Sequence, residues 1–151
     1  MKSQIRFNYA DKSLNIGKKS LMKDVIQTLF VEEKKVFSTI NFIFCSDDYL
    51  LQINKDFLQH DYYTDIITFP LSGKGLPIEA EIYISLDRVK QNAKELNQAF
   101  VHELVRVLAH GALHLCGYKD KSKTDIKLMR EKEEHYINLY LKFHVKHKKQ
   151  K

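Results

Sequence analysis

The sequence predicts an α+β fold in which a small sheet of about four strands is covered by about five helices. Two observations lead to this prediction. Every segment with the alternation or the β-branched and aromatic content of a strand ends at or before Ser85. From Ser85 onward the pattern is helical for most of the remaining chain. The length of 151 residues fits one domain with a core of its own.

The first half of the chain alternates between strand and helix patterns. The segment "SQIRFNY" alternates apolar and polar residues, and "TINFIFC" is rich in Ile and Phe, so both are predicted to be strands. Between them, apolar residues at spacings of three and four predict a helix from Gly17 to about Lys35. Ser46 is the expected N-cap of a helix in "SDDYLLQINKDFL", whose first-turn Asp47 and Asp48 favour the positive helix end. The segments "TDIITFP" and "AEIYIS" are predicted strands joined by a turn-rich loop.

Three helices are predicted for the second half. The segment "SLDRVKQNAKELN" is amphipathic, and "QAFVHELVRVLAHGALHL" is more apolar. Gly117 is placed to end the second of these helices in the left-handed conformation. A last helix is predicted over "KSKTDIKLMREKEEHYINLYLKF". Its expected inward face consists of Leu128, Tyr136, Leu139 and Tyr140.

Composition excludes several classes of protein. With 44% hydrophobic and 29% charged residues, the chain has the composition of an ordinary globular protein. It has no apolar run of the length that crosses a membrane and no apolar secretory signal at its N-terminus, so no membrane partner is expected. Two cysteines are too few for a disulfide framework, and the cytoplasm is the expected compartment.

The positive charge is concentrated at the C-terminus. The net charge is +6, but the last ten residues hold five lysines and no acid, which leaves about +1 on the other 141 residues. We expect one catalytic domain over residues 1–143 and a basic, disordered tail over residues 144–151, which is either solvated or binds phosphates. Bulk charge alone does not indicate RNA binding.

The segment "AHGALHLCGYKD" holds the candidate metal ligands. His110 and His114 are four residues apart, so on a helix they project from one face and their imidazoles can converge. Gly117 ends this helix, and the chain can then fold back to bring Asp120 to the same point. Two imidazoles and a carboxylate suit Zn²⁺, with an open position for a water that the ion acidifies. The histidine pair alone would also fit core or interface residues with satisfied ring nitrogens.

A zinc protease is the competing interpretation, and the sequence argues against it. Such a site needs H-E-x-x-H, with the Glu as general base. The segment "HELVR" has Arg106 where the second His belongs, and the residue after His110 is Gly111. His102 is therefore expected to lie off the metal face. Arg106 and Glu103 precede His110 on nearly the same face and are the candidate catalytic or ligand-orienting residues, with ordinary surface charges as the alternative.

Three blocks of the sequence resemble the YbeY family of metal-dependent endoribonucleases. The segment "HGALHLCGYKD" resembles the signature H-G-x-L-H-L-x-G-Y-D-H, and "INKDFLQHDYYTDIITFP" resembles an upstream block that ends T-D-V-L-S-F-P. The segment "AEIYIS" stands where the family has a G-D-I-x-I-S strand. The resemblance covers nearly the whole chain. It implies a small mixed sheet, one Zn²⁺ per chain, and cleavage of single-stranded RNA in 16S rRNA maturation and ribosome quality control, with rRNA and ribosomal or pre-ribosomal particles as partners. It leaves the oligomeric state open.

One departure from the family pattern concerns the third ligand. The family's third ligand position, a His, falls on Asp120, because this chain reads Y-K-D where the family reads Y-D-H. A carboxylate ligates zinc well. It also leaves less positive charge on the site, which makes the bound water less acidic and harder metals such as Mn²⁺ more plausible. The implied ligand set is therefore His110, His114 and Asp120.

The second departure concerns the contact to phosphate. The family carries an Arg four residues after the Asn of its upstream block, and from Asn54 that position is Leu58. Lys55 or Arg106 are the candidate substitutes. The loss of the Arg slightly favours an alternative function, a metal-stabilised ribosome-assembly factor that binds RNA or protein without cutting. The leading hypothesis is the metal-dependent endoribonuclease.

Overall fold

The computed structural model describes residues 3–149, and within them it contains four strands and five helices, which confirms the predicted architecture. The strands are β1 (Gln4–Tyr9), β2 (Phe37–Cys45), β3 (Ile66–Pro70) and β4 (Ile78–Ser85). The helices are α1 (Lys19–Glu32), α2 (Asp47–Leu58), α3 (Leu86–Glu95), α4 (Phe100–Leu115) and α5 (Lys123–Lys149). None of the described helices has both the length and the hydropathy needed to span a membrane.

The strands form one sheet in the order β1-β2-β4-β3. Strands β1, β2 and β4 are parallel, and β3 pairs antiparallel with β4, so the sheet is mixed, as the resemblance implied. Parallel neighbours need crossover connections, and α1 provides one between β1 and β2. Strand β3 lies at one edge of the sheet, where its outer side has no strand partner among the described residues.

Alternate residues of the strands pack on the two faces of the sheet. On β4, Ile82 and Ile84 belong to the main core, whereas Tyr83 packs against a smaller cluster on the other face. Helices α1, α3, α4 and α5 all contribute buried side chains to the main core. Helix α2 covers the smaller cluster through Leu50 and Ile53. The sheet is therefore covered by helices on both faces.

Helix α4, which carries the histidine pair, contacts the sheet and helices α1, α3 and α5. A Cβ added at Gly111 would lie 2.9 Å from Cδ1 of Ile66 and 3.2 Å from Cγ2 of Ile82. Because Gly111 has no side chain, α4 can approach β3 and β4 this closely. The close approach holds the histidines next to the β3 edge of the sheet.

The start of α2 follows the predicted local signals. The backbone N–H of Tyr49 donates to Oγ of Ser46 at 3.1 Å, so Ser46 is the N-cap. Asp47 and Asp48 occupy the first turn, where their charge favours the positive end of the helix.

The inward face of α5 differs from the prediction by one residue. Tyr136 and Tyr140 are buried as expected, and Leu139 is half-buried against the core. Leu128, however, is 43% exposed, and Met129 is buried in its place. The buried stripe thus starts one position later than the apolar pattern of the sequence indicated.

The C-terminal end of α5 corrects the predicted tail. Residues 144–149, expected to be disordered, continue the helix to Lys149. This stretch contains no Gly or Pro to end the helix, and Phe143 packs against the main core at its start. Residues 150 and 151 of the predicted tail lie outside the described part of the chain.

Candidate metal centre

His110 and His114 lie one turn apart on α4 with their rings in contact. The ring centroids are 4.5 Å apart and the ring planes are nearly perpendicular, at 84°. The side chains of His110 and His114 are 17% and 32% exposed, so both reach solvent although most of α4 is buried. The pair can therefore meet an ion or a substrate that enters from outside.

The chain reverses direction immediately after α4. The N–H of Gly117 donates to the carbonyl of His114 at 3.0 Å, and the N–H of Tyr118 donates to that of Leu113 at 3.1 Å. These two bonds form a Schellman motif, which needs a left-handed residue, and Gly117 has a φ of 106°. The reversal brings Asp120 back to the histidines, where the sequence predicted it.

Asp120 completes a group that could hold a metal ion. Its Oδ2 lies 3.4 Å from Nε2 of His110 and 3.5 Å from Nε2 of His114, and all three ligand atoms lie within 4.8 Å of one another. Nitrogen and oxygen ligands about 2.0–2.2 Å from a tetrahedral zinc ion are about 3.3–3.6 Å apart. The distances from Asp120 to both histidines therefore fit a tetrahedral ion. His102 does not belong to this group.

The hydrogen bond on Nδ1 fixes the tautomer of each histidine. Nδ1 of His114 lies 2.9 Å from the carbonyl oxygen of Tyr118, and Nδ1 of His110 lies 2.6 Å from Oε2 of Glu133. A carbonyl and a carboxylate accept hydrogen bonds, so each Nδ1 carries the proton and donates it. In the neutral imidazole each Nε2 then carries the lone pair, and both Nε2 atoms lie on the side of Asp120. This is the form in which a neutral imidazole binds a metal ion.

Glu133 is a residue of this site that the sequence analysis missed. It is 2% exposed, and its two oxygens accept from different donors. Oε2 accepts from His110, and Oε1 accepts from Nη1 of Arg106 at 3.3 Å. The signal that could have identified it is a carboxylate inside the apolar stripe of α5, between Met129 and Tyr136. A charged residue is almost never fully buried unless it has such partners.

Arg106 and Glu103 form a buried ion pair and are not surface charges. Nε and Nη2 of Arg106 lie 2.8 and 2.6 Å from the two carboxylate oxygens of Glu103, which is 1% exposed. Burial disfavours the charge of Arg106, but the hydrogen bonds and charge of Glu103, with the charges of Glu133 and Asp65, raise the pKa of Arg106. Burial also raises the pKa of Asp65, against the opposing charge of Arg106.

Arg106 and Glu103 are further from the candidate ligands than the sequence indicated. Glu103 holds Arg106, Arg106 contacts Glu133, and Glu133 contacts His110. Neither Arg106 nor Glu103 lines the cleft that contains the three candidate ligands. Their predicted catalytic role stays a prediction, and their contacts lead to the metal group only through Glu133.

The three candidate ligands lie in a cleft of about 350 Å³. Part of its wall is the end of α2 and the loop that follows, which is fixed by the buried Asn54. Nδ2 of Asn54 donates to the backbone carbonyl of Tyr62 at 2.9 Å. The backbone carbonyl of Asn54 accepts from the backbone N–H of His60 at 3.1 Å. Leu58 also lines the cleft and is 41% exposed. The position of the family's Arg therefore does open onto the metal group.

His60 is a second residue of the cleft that the sequence analysis missed. Its ring stacks on that of Tyr62, with centroids 5.1 Å apart, and the Tyr62 hydroxyl lies 3.0 Å from its Nδ1. This contact occupies Nδ1 and leaves Nε2 for another partner. Lys55, a candidate substitute for the missing Arg, instead pairs with Asp61 at 3.4 Å and does not line the cleft.

Comparisons with known proteins place the chain in a family. Residues 4–141 match the family model described as Endoribonuclease YbeY. Endoribonuclease YbeY of Cytophaga hutchinsonii is 47% identical over 135 residues, which cover 89% of this chain and 94% of that protein. Endoribonuclease YbeY of Flavobacterium johnsoniae is 45% identical over 141 residues, which cover 93% of this chain and 98% of that protein.

A solved structure shares the fold over almost its full length. TM1509 from Thermotoga maritima, whose structure was determined in solution, matches with a TM-score of 0.68 at 29% sequence identity. The match covers 98% of this chain and 96% of that chain. On the family match and the identity to these relatives, the chain belongs to the endoribonuclease YbeY family.

Proposed function

We propose that this protein is a metal-dependent endoribonuclease that cleaves single-stranded RNA in 16S rRNA maturation and ribosome quality control. The observation that carries the proposal is the convergence of His110, His114 and Asp120 in an accessible cleft, with Asp120 at tetrahedral spacing from both histidines. Membership of the family supports RNA as the substrate. Ribosomal particles in the cytoplasm are the source that we propose for it. One Zn²⁺ per chain suits the donor set, and the carboxylate also admits Mn²⁺.

The chain's own residues present the ion with a ready-made ligand set. His110 and His114 each offer a neutral Nε2, and Asp120 contributes the only negative charge among the three ligands. When bound, the divalent ion polarises a phosphoryl oxygen and lowers the pKa of water towards neutrality. Glu133 and the carbonyl of Tyr118 hold the two imidazoles, so neither ring has to reorient on binding.

Arg106 and Glu103 act in this proposal as positioning residues. The guanidinium of Arg106 is 16% exposed and lies within 4 Å of carboxylates of Glu103, Glu133 and Asp65. It is therefore not available to a phosphate of the RNA. Its effect on the site is to hold the Glu133 carboxylate against His110, while Glu103 holds Arg106.

His60 takes the phosphate contact that Leu58 cannot make. It lines the same cleft two residues after Leu58, and its stack on Tyr62 fixes the ring with Nε2 unused. From there Nε2 can donate a hydrogen bond to a non-bridging phosphate oxygen. His60→Ala is expected to slow cleavage while metal stays bound. Adding Leu58→Arg to that variant is expected to restore cleavage, because it places a phosphate-binding side chain in the cleft at the family's position.

The decisive variant for the function is His114→Ala. It is expected to lose the bound metal and the cleavage of a single-stranded rRNA precursor together. His135→Ala is the matched control, because His135 is 56% exposed, pairs with Glu32 and lies outside the cleft. The control should keep both metal and activity. Full cleavage by metal-free His114→Ala protein would overturn the proposal.

A non-catalytic ribosome-assembly factor is the second candidate function, and Leu58 is the observation that favours it. Such a factor would hold the ion for stability and bind RNA without cutting it. Metal-loaded protein would then bind the precursor without cutting it. Asp120→Ala would change the stability of the protein, and neither form would cleave the precursor. Metal-dependent cleavage that is lost in Asp120→Ala excludes this candidate.

A further inference from the structure

A larger groove of about 910 Å³ adjoins the metal cleft. One side is formed by residues 34–36, which follow α1, and the other by the loop between β3 and β4. His114 and Thr68 line both the groove and the metal cleft, so the two are continuous. Thr68 belongs to β3, whose outer edge has no strand partner among the described residues. A chain leaving the metal cleft on this side would therefore enter the groove.

The charge of this groove is positive. Its charged lining residues are Lys34, Lys35 and Lys74, and no carboxylate lines it within the described part of the chain. None of the three lysines forms an ion pair with residues 3–149. The concave surface between α1 and α5 differs, because Asp24 lies there beside Lys146. Because the chain without its last ten residues carries only about +1, three lysines here are a local concentration of charge.

Two of these lysines lie in the turn that ends α1. The N–H of Lys34 donates to the carbonyl of Val31 at 3.1 Å, and that of Lys35 donates to the carbonyl of Phe30 at 3.0 Å. This is the same Schellman pattern that ends α4, but here the left-handed residue is Lys34, with a φ of 57°. Glycine would occupy that conformation more favourably. The turn holds both lysine backbones at the rim of the groove.

We propose that this lysine groove, defined by Lys34, Lys35 and Lys74, binds the RNA strand on one side of the cleavage site. The inference rests on the proposed function and adds the path of the substrate. Val36 and Leu76 also line the groove and are 71% and 64% exposed. A single strand presents phosphates to the lysines and unstacked bases to these apolar side chains. The nucleotides next to the scissile phosphate then run past His114 to the lysines.

The salt dependence of binding measures the contribution of the lysine groove. For a single strand, each neutralised phosphate contributes about 0.7 to the slope of log K against log salt concentration. Three lysines therefore contribute about 2 to the slope for a strand long enough to reach them. A strand confined to the metal cleft gains nothing from them.

The test uses a triple variant, Lys34→Gln, Lys35→Gln and Lys74→Gln, in the full chain. Its control, Lys94→Gln, Lys127→Gln and Lys142→Gln, removes the same charge from exposed positions outside the groove. Binding to a fluorescent single-stranded RNA of about 16 nucleotides is titrated at several salt concentrations, after chelation of metal so that no strand is cut. The groove variant is expected to reduce the magnitude of the slope by about 2, and the control variant by much less. Circular dichroism checks that both variants are folded.

Cleavage by the metal-loaded proteins gives the second readout. The groove variant should lower kcat/KM on the 16-nucleotide strand about tenfold or more and leave cleavage of a strand of about 4 nucleotides unchanged. An unchanged slope and unchanged kcat/KM in the groove variant would overturn this proposal while the proposed function stands. An equal loss in the control variant would overturn it too, because bulk charge would then explain the binding. Absence of cleavage by the unmutated protein would overturn the proposed function, and the slopes would still decide the path.

Discussion

Replacing Glu133 by Gln removes a buried carboxylate that holds the candidate metal ligand His110 in place. In the folded protein Oε2 of Glu133 accepts from His110 at 2.6 Å, and Oε1 accepts from Arg106 at 3.3 Å. An amide has one acceptor oxygen and one donor nitrogen, so it can accept from only one of these two donors. Its NH₂ group must then face the other donor. Either orientation therefore leaves one of the two contacts unmade.

The expected effect on metal binding is large. Loss of a partner that orients a histidine ligand typically weakens metal affinity about 10–100-fold, or about 1.4–2.7 kcal/mol. Because Glu133 is 2% exposed, the unmade hydrogen bond should also lower the free energy of unfolding of the metal-free protein by about 1–3 kcal/mol. Metal affinity is measured by competition with a chelating dye, and stability by urea unfolding of the metal-free protein.

Glu134→Gln is the matched control, because it makes the same substitution one residue further along α5, at an exposed position. It should leave metal affinity and stability within error of the unmutated protein. If folded Glu133→Gln protein bound metal within about twofold of the unmutated protein, far below the expected loss, Glu133 would not orient His110 and the ligand geometry would need revision.

Three further variants test the return of the chain to the metal group. Asp120→His is expected to keep one ion per chain, because it restores the family's ligand type, and loss of the ion in elemental analysis would contradict the geometry. Gly117→Ala should cost about 1–2 kcal/mol of stability and also weaken metal binding, whereas Gly75→Ala, also at positive φ (85°), should cost stability alone. Equal metal affinity of the two alanine variants would argue against Gly117 as the hinge. Glu33→Gln should destabilise the protein at neutral pH: burial opposes the Glu33 charge, but hydrogen bonds from Tyr118 and Lys132 lower its pKa below the ordinary 4.5. A carboxylate with a lowered pKa stabilises the fold at a pH above its pKa in the unfolded chain, and this contribution is lost as the pH falls through its pKa in the folded protein. The loss of stability caused by Glu33→Gln should therefore become smaller in acid. Urea titrations in which this loss became larger in acid would contradict the reasoning.

The parts of the site that follow from local geometry were predictable from the sequence. A spacing of four residues puts His110 and His114 on one helix face whatever the rest of the fold does. A glycine after the last helical residue ends the helix, and three residues then suffice to return Asp120. The N-cap at Ser46 is local in the same sense, because its hydroxyl binds an N–H of its own helix. In each case the residues that interact lie only a few positions apart in the sequence.

The parts that depend on contacts between distant segments were not predictable. Glu133 meets His110 across 23 positions of sequence, and its role depends on how α5 packs against α4. The apolar pattern of α5 admits two phases, and Leu128 was assigned to the inward face that Met129 occupies. His60 acquires its position because Asn54 fixes the loop after α2. The strand order, with β4 between β2 and β3, is likewise a property of the packed sheet.

The central claim is that one ion, held by His110, His114 and Asp120, is required for RNA cleavage. Titration of metal-free protein with Zn²⁺, and in parallel with Mn²⁺, while bound metal and the rate of cleavage of a single-stranded rRNA precursor are measured in the same samples, tests it most directly. The account predicts that cleavage is absent without metal and rises in proportion to bound metal until one ion per chain is reached. Cleavage that is complete before any ion binds, or an ion that binds without any cleavage, would contradict it.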